Sequence, residues 1–179
     1  LAGRLEAYHY YFNNDLTRAF AYAIENLKST GEAGYGLIGL TCGFSLKNLD
    51  MIREVKEASA NEELRVLASF LAGGDTSLPL ICKEYYLRLL DDLLTLGRQN
   101  DAFALTEAKN AFERSIDTEV GNVFFERGYW EAALTHYKSA FSKGITHPLL
   151  YLQAAVCLKN LHLTDAAVKI LLLSLEEHD

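Results

Sequence analysis

The chain has 179 residues, half of them hydrophobic and 23% charged, with a formal net charge of −7; this is the balance of a folded domain, not of a disordered or fibrous segment. The acidic balance, with no cluster of Lys and Arg, disfavours sequence-independent nucleic-acid binding, which needs a basic surface, and no apolar run reaches the ~18–20 residues a membrane helix needs. Only two prolines, Pro79 and Pro148, favour a mostly helical chain, because proline breaks helix interiors.

Cys42, Cys82 and Cys157 are odd in number and widely spaced, with no C-x-x-C among them, so neither a zinc site nor a redox pair is signalled. Each sits in an apolar neighbourhood and reads as a buried free thiol in a reducing compartment, the cytoplasm. The sequence opens on Leu1, not Met, and reads as a piece of a longer protein.

In chain order, AYHYYFNNDLTRAFAYAIENL (7–27) reads as two helices broken at Asn13-Asn14-Asp15, with Ala19, Ala23 and Leu27 facing inward. GYGLIGL (34–40) spells G-x-G-x-x-G at Gly34, Gly36 and Gly39, the fingerprint of a dinucleotide-binding turn. That turn needs a buried strand before it, and the preceding NLKSTGEA is polar; no NAD or FAD is expected, and 34–47 reads as a helix. Two glycines inside a helix cost roughly 1 kcal/mol each relative to Ala, so this hairpin is expected to be a soft point.

GGDT (73–76) is the clearest break in the middle of the chain. A long helix is predicted from Leu78 to Leu96, capped by Ser77 and with Pro79 in its first turn. LGRQNDAFALTEAKNAF (96–112) reads as a turn and then a helix with Ala104, Ala108, Ala111 and Phe112 on one stripe.

Next comes a helix over about 116–127 with Val120, Val123 and Phe124 on its apolar face, closed by Gly128. A second helix over about 130–143 carries Ala133, Leu134, Tyr137, Ala140 and Phe141 on one stripe. KGITHP then ends it at Gly144 and starts another near Pro148, a tolerated first-turn position. VGNVFFERGYWEAALTHYKSAF (120–141) aligns without a gap on AAVCLKNLHLTDAAVKILLLSL (154–175) at an offset of 34. Gly121 falls on Ala155, Phe124 on Leu158, Ala133 on Ala167, Tyr137 on Leu171 and Ala140 on Ser174, all apolar or small in both copies.

A 34-residue period with L-G-x-x-Y, then A-x-x-x-F, then a late Pro is the pattern of the tetratricopeptide repeat. It stands here as Val120-Gly121, Phe124, Gly128, Tyr129-Trp130, Ala133, Tyr137, Ala140 and Pro148, and the first copy resembles that family closely. The second departs at the glycines, with Ala155 and His162, but keeps Tyr151, Leu158, Ala167 and Leu171. The close resemblance covers 114–179; the hairpins in 1–113 look like divergent copies. On this alignment Gly39 falls on Gly121, Cys42 on Phe124, Met51 on Ala133, Val55 on Tyr137 and Ala58 on Ala140, making Gly39 a close-packing glycine and Gly36 a groove or crossing residue. The resemblance implies an all-α fold: a right-handed superhelical stack of antiparallel helix pairs, an α-solenoid of about eleven helices, in which 1–113 and 114–179 are continuous.

No catalytic set is legible. His9, His136, His147, His162 and His178 form no H-x-x-x-H or H-E-x-x-H; His136 reads as half-exposed beside Tyr137, and His147 and His162 as helix-end residues that meet terminal backbone groups. Cys157 and His162 are five apart, off one helix face. Asp91-Asp92 and Glu62-Glu63 are adjacent pairs pointing to different sides of a helix. There is no phosphate loop and no G-x-S-x-G, so neither enzyme activity, cofactor nor metal is expected.

In the resemblance, the first helix of each pair lines a concave groove that binds peptides or helices. Those positions are Thr118, Asn122, Phe125 and Glu126, then Leu149, Leu152, Val156 and Lys159. One subclass of the family clamps the C-terminal carboxylate of chaperones with a Lys/Asn/Lys/Arg set. Asn122 falls on the asparagine, but Thr118, Leu149 and Gln153 stand where the cations belong, and a carboxylate would lack a charge-assisted partner. The groove is apolar to mixed, suited to an amphipathic helix or an aromatic-bearing strand.

The last helix, AVKILLLSLEEHD, is apolar nearly all round, unlike a solenoid's polar cap. Ile170, Leu172 and Leu173 are therefore expected to meet further chain or a second copy. The sequence thus predicts a non-catalytic protein–protein interaction scaffold with a protein or peptide partner or a homodimer; the alternative is a helical appendage of a larger enzyme, such as a bacterial glycosyltransferase, that positions partners or dimerises it.

Overall fold

A computed structural model describes residues 2–74 and 77–178. Eleven α-helices fill the described residues, with two short 3-10 turns and one isolated parallel bridge between Leu78 and Phe112 as the remaining regular structure. Asp75 and Thr76 of the GGDT break, and the side chain of His178, lie outside what is described. The chain divides into two compact units, Leu1–Glu113 and Arg114–Asp179.

The first unit holds α1 (Ala2–Phe12), α2 (Leu16–Thr30), α3 (Ala33–Ser45), α4 (Leu49–Ala58), α5 (Glu62–Leu71), α6 (Lys83–Thr95) and α7 (Gln99–Glu107). Short polar residues start several of them. The Asp15 carboxylate accepts from Arg18 N (3.2 Å), Asn48 Oδ1 from Asp50 N and Met51 N, and Asn61 Oδ1 from Leu64 N (2.8 Å), each satisfying an amide that the first helical turn leaves open.

Helix α3 is the axis of this unit: residues 34–43 are all buried, and α1, α2, α4, α5 and α6 pack around it. Its glycines explain how. A Cβ at Gly36 would lie 2.1 Å from Leu64 Cδ2, one at Gly39 2.7 Å from Val55 Cγ2, and one at Gly43 2.9 Å from Ile52 Cγ1. The G-x-G-x-x-G run therefore stands inside a helix and admits side chains of α4 and α5 against its backbone. The propensity penalty of these glycines is set against burial of Leu64, Val55 and Ile52, all 2% exposed or less.

Three expectations for this unit are corrected. The helix predicted from Leu78 starts only at Lys83: Pro79 is extended (φ −69°, ψ 150°), Leu80–Cys82 is a 3-10 turn, and Leu78 N donates to Ala111 O (2.7 Å). A residue preceding proline is driven out of the helical region, which leaves Leu78 free to bridge to Phe112. The stripe over Ala104, Ala108, Ala111 and Phe112 is broken because α7 tightens into a 3-10 turn at Ala108; its buried residues are Ala102, Leu105 and Thr106. The register placed on 39–58 is one residue out at Met51, as the turns show, while Gly39 packs on Val55 as Gly121 packs on Tyr137.

The second unit holds α8 (Asp117–Glu126), α9 (Trp130–Ser142), α10 (Pro148–Asn160) and α11 (Thr164–His178), each packed on the next. Glu126 and Asn160 end their helices 34 residues apart, and Trp130 and Thr164 start theirs 34 apart, so the period in the sequence is a period in the backbone.

Five hairpins across the described residues, those whose second helix starts two residues after the hinge, close with one turn, which also ends α5 at Gly73 and α9 at Gly144. Its hinge residue has positive φ: Asn14 (60°), Lys47 (52°), Gly97 (71°), Gly128 (76°) and His162 (61°). In each, the hinge N–H donates to the carbonyl three residues back and the next N–H to the carbonyl five back, as Gly128 N does to Phe125 O and Tyr129 N to Phe124 O. This is the left-handed closure that satisfies the last carbonyls of a helix. Five residues beyond the hinge stand Ala19, Ile52, Ala102, Ala133 and Ala167, all buried. By this register Lys47 matches Gly128 and Ile52, rather than Met51, matches Ala133, while the close approach of Gly39 to Val55 remains the counterpart of Gly121 and Tyr137.

Candidate functional site

The start of α8 is fixed by a buried carboxylate. Asp117 is 1% exposed. Its Oδ2 accepts from Ser115 Oγ (2.6 Å) and from the Lys143 ammonium beyond the end of α9, and its Oδ1 lies 3.7 Å from His136 Nδ1. The imidazole of His136 stacks on Phe124, centroids 5.4 Å apart and planes within 7°. His136 is buried, not half-exposed as expected, because it lies three residues after Ala133 and four before Ala140, in the middle of the inward stripe. The cluster ties the two ends of the α8–α9 hairpin together. Ser115 points its hydroxyl proton at the carboxylate, so the group has no serine–histidine nucleophile geometry.

With that start fixed, the expected groove residues fall as follows. Thr118, Asn122 and Phe125 lie at i, i+4 and i+7 on α8, and Leu152, Val156 and Lys159 occupy the equivalent positions 34 residues on, along α10, which touches α8. Asn122 is half-buried and its Oδ1 accepts from Tyr137 Oη (2.9 Å). Phe125 is half-buried, edge-on to Trp130 (5.4 Å, 79°). Thr118 Oγ1 is buried without a hydrogen-bond partner. Glu126 and Lys159 are exposed and Val156 is half-buried, while Leu149 and Leu152 are 54% and 50% exposed. Asn122 and Phe125 thus serve the interior of their own hairpin as well as the face; the exposed apolar surface there is Leu149 and Leu152.

On α11, Ile170 is half-buried and Leu172 and Leu173 are 53% and 49% exposed. Tyr151 Oη donates to Glu177 (2.5 Å), which pins the end of α11 to α10 and holds the phenol proton on up to about 12. His147 caps α10, its Nδ1 accepting from Leu149 N (3.2 Å), and His162 is the hinge of the last hairpin.

The chemistry available elsewhere is sparse. Cys42, Cys82 and Cys157 are free and buried, and burial pushes their thiols up to about 12, 11 and 11; they stay protonated and are poor nucleophiles near neutral pH. Among the described residues no three His, Cys, Asp or Glu side chains gather as a metal site, and no helix is long and apolar enough to cross a membrane. No family model, curated protein or solved structure matches the chain.

Proposed function

We propose that this chain is a non-catalytic interaction module of the tetratricopeptide kind, whose helix pairs stack into a right-handed solenoid and whose first helices offer a groove to a protein or peptide partner. The 34-residue repetition of helix ends, hinge and buried alanine in the second unit supports the architecture. The observation that carries the function is the pair of exposed leucines, Leu149 and Leu152, on the helix face whose repeat-equivalents on α8 include Thr118 and Asn122. An amphipathic partner helix with leucines at i, i+3 and i+4 suits such a face, since apolar area half-exposed on both sides is removed from water. Self-association through Ile170, Leu172 and Leu173 belongs to the same reading, with the protein working in the cytoplasm.

The test is selection of 16-residue helical peptides from a randomised library on the 179-residue chain, followed by titration against a Leu149→Glu/Leu152→Glu variant. Selected peptides are expected to lose at least about tenfold in affinity on the variant, the fold-change of ~1.4 kcal/mol, with its circular dichroism unchanged. Equal binding to both proteins, or a selection that returns no binder, overturns the groove.

A further inference from the structure

The outer face of α11 holds more apolar surface than a repeat helix requires. Val168, Leu171, Leu172 and Leu175, at i, i+3, i+4 and i+7, are 52, 39, 53 and 60% exposed, while Ala167, on the flank beside Leu171, is buried and Ser174 is half-buried. The equivalent residues on α9 are Leu134, Tyr137, Lys138 and Phe141. There Leu134 and Tyr137 are buried and Phe141 packs on Tyr151 of α10, ring centroids 4.7 Å apart. Exposed Lys138 and half-buried Ser139 of α9 are replaced on α11 by leucines, Leu172 and Leu173. Stacking of a further repeat accounts for Val168, Leu171 and Leu175; it leaves Leu172 and Leu173 unexplained.

The charges beside them indicate the occupant. Lys169 and Glu176 are exposed and, among the described residues, form no ion pair. They stand three residues either side of the Leu172–Leu173 step, on one flank of the helix. Turned end for end about that step, a second α11 brings Lys169 level with Glu176 of its partner, twice over. Aligned in parallel, the same helix sets Lys169 against Lys169 and Glu176 against Glu176.

We infer that α11 pairs antiparallel with α11 of a second copy around a twofold axis passing between Leu172 and Leu173. The contact is isologous, as closed dimers are; leucines form its centre and two Lys169–Glu176 pairs its ends, the charges setting direction. This rests on the self-association in the reading above and gives it a partner surface, a direction and a register.

The test is light scattering of the 179-residue chain across a concentration series. The native chain is expected to rise towards twice its monomer mass. Leu172→Glu/Leu173→Glu is expected to stay monomeric with unchanged helicity, both leucines being half-exposed. Lys169→Glu and Glu176→Lys each weaken the dimer at least about fivefold, since each replaces two attractive contacts by two repulsive ones; the double exchange Lys169→Glu/Glu176→Lys restores it. These charge variants leave the apolar residues in place and decide the matter even where the glutamate variant misfolds. A native chain that stays monomeric overturns both the inference and self-association, while the peptide titration reads the groove independently. A dimer that survives in a folded Leu172→Glu/Leu173→Glu chain overturns the location. A dimer indifferent to single charge reversal, or not restored by the exchange, overturns the antiparallel register.

Discussion

Gly121 and Tyr137 occupy one space: a Cβ on Gly121 would lie 2.5 Å from Cε1 and 2.7 Å from Cδ1 of a phenol ring that is fully buried. The second copy solves the same crossing with Ala155 and Leu171, one group larger on one helix and smaller on the other. Gly121→Ala is expected to destabilise by about 1–3 kcal/mol, the usual range for overpacking. Tyr137→Leu also destabilises, leaving a void and Asn122 without its donor. The double variant, which copies the second pair, is expected to fall short of the sum by at least ~0.5 kcal/mol. Urea unfolding of the four proteins measures this; strict additivity would mean the two residues do not share the space.

The hinge residues make a second prediction, of opposite sign at two equivalent sites. Gly128 and His162 both sit at positive φ, where a Cβ costs roughly 1–2 kcal/mol. Gly128→Ala should lose about that much stability. His162→Gly should gain up to ~1 kcal/mol, less than the full strain because glycine also frees the unfolded chain. A His162→Gly protein with a lower melting temperature than the parent would show that the imidazole contributes more than its backbone costs.

Asp117 and Lys143 are unequal partners. The carboxylate is 1% exposed and the Lys143 side chain 41%. Lys143→Met strips the ammonium from a buried anion, and should cost about 3 kcal/mol, the low end for breaking a buried pair. Asp117→Asn leaves the cation within reach of water and keeps an acceptor for Ser115, and should cost only ~1–2 kcal/mol. Chemical denaturation at pH 7 ranks them; the reverse order would refute this account.

Alkaline pH offers a fourth check. Cys42 is held up to about 12 and Cys82 and Cys157 to about 11 by burial, against an ordinary thiol value of 9.0. A group that binds its proton more tightly when folded stabilises the fold fully below its unfolded pKa and loses that contribution as pH climbs through the folded one. The melting temperature should therefore be flat from pH 7 to about 8.5 and fall beyond it, and Cys42→Ala should flatten the fall. An unchanged slope in that variant would mean Cys42 titrates as a free thiol.

The elements legible in the sequence are those whose signal is local. The break at Asn13-Asn14-Asp15, the glycine at 128 and the proline at 148 each act within one turn, and each is where expected. Two hinges escaped because Lys47 and His162 carry no glycine signature; the repeat alignment predicts a turn at 162 without revealing its left-handed backbone. The start of α6 was misplaced because Pro79 suits a first turn and equally bars Leu78 from the helix, and only the distant strand-like partner Phe112 decides between these. The buried cluster at Asp117 was invisible: its members stand at 115, 117, 136 and 143, and nothing in their spacing joins them until α8 and α9 are folded together. The family resemblance placed Thr118, Asn122 and Phe125 on one groove-lining side, yet the inward duties of Asn122 and Phe125, to Tyr137 and Trp130, depend on a neighbouring helix.

The shared hinge bears on how far the hairpins can differ in sequence and keep one closure. Its bonds run between main-chain groups alone, so Asn, Lys, Gly and His all serve at the pivot. Neighbouring hairpins can drift until hardly a letter is held in common while every closure stays intact. The hairpins of this chain are then better aligned by anchoring on the pivot and counting five residues forward to a buried residue than by matching amino acids, and the one-residue slip at Met51 and Ile52 is what such matching produces.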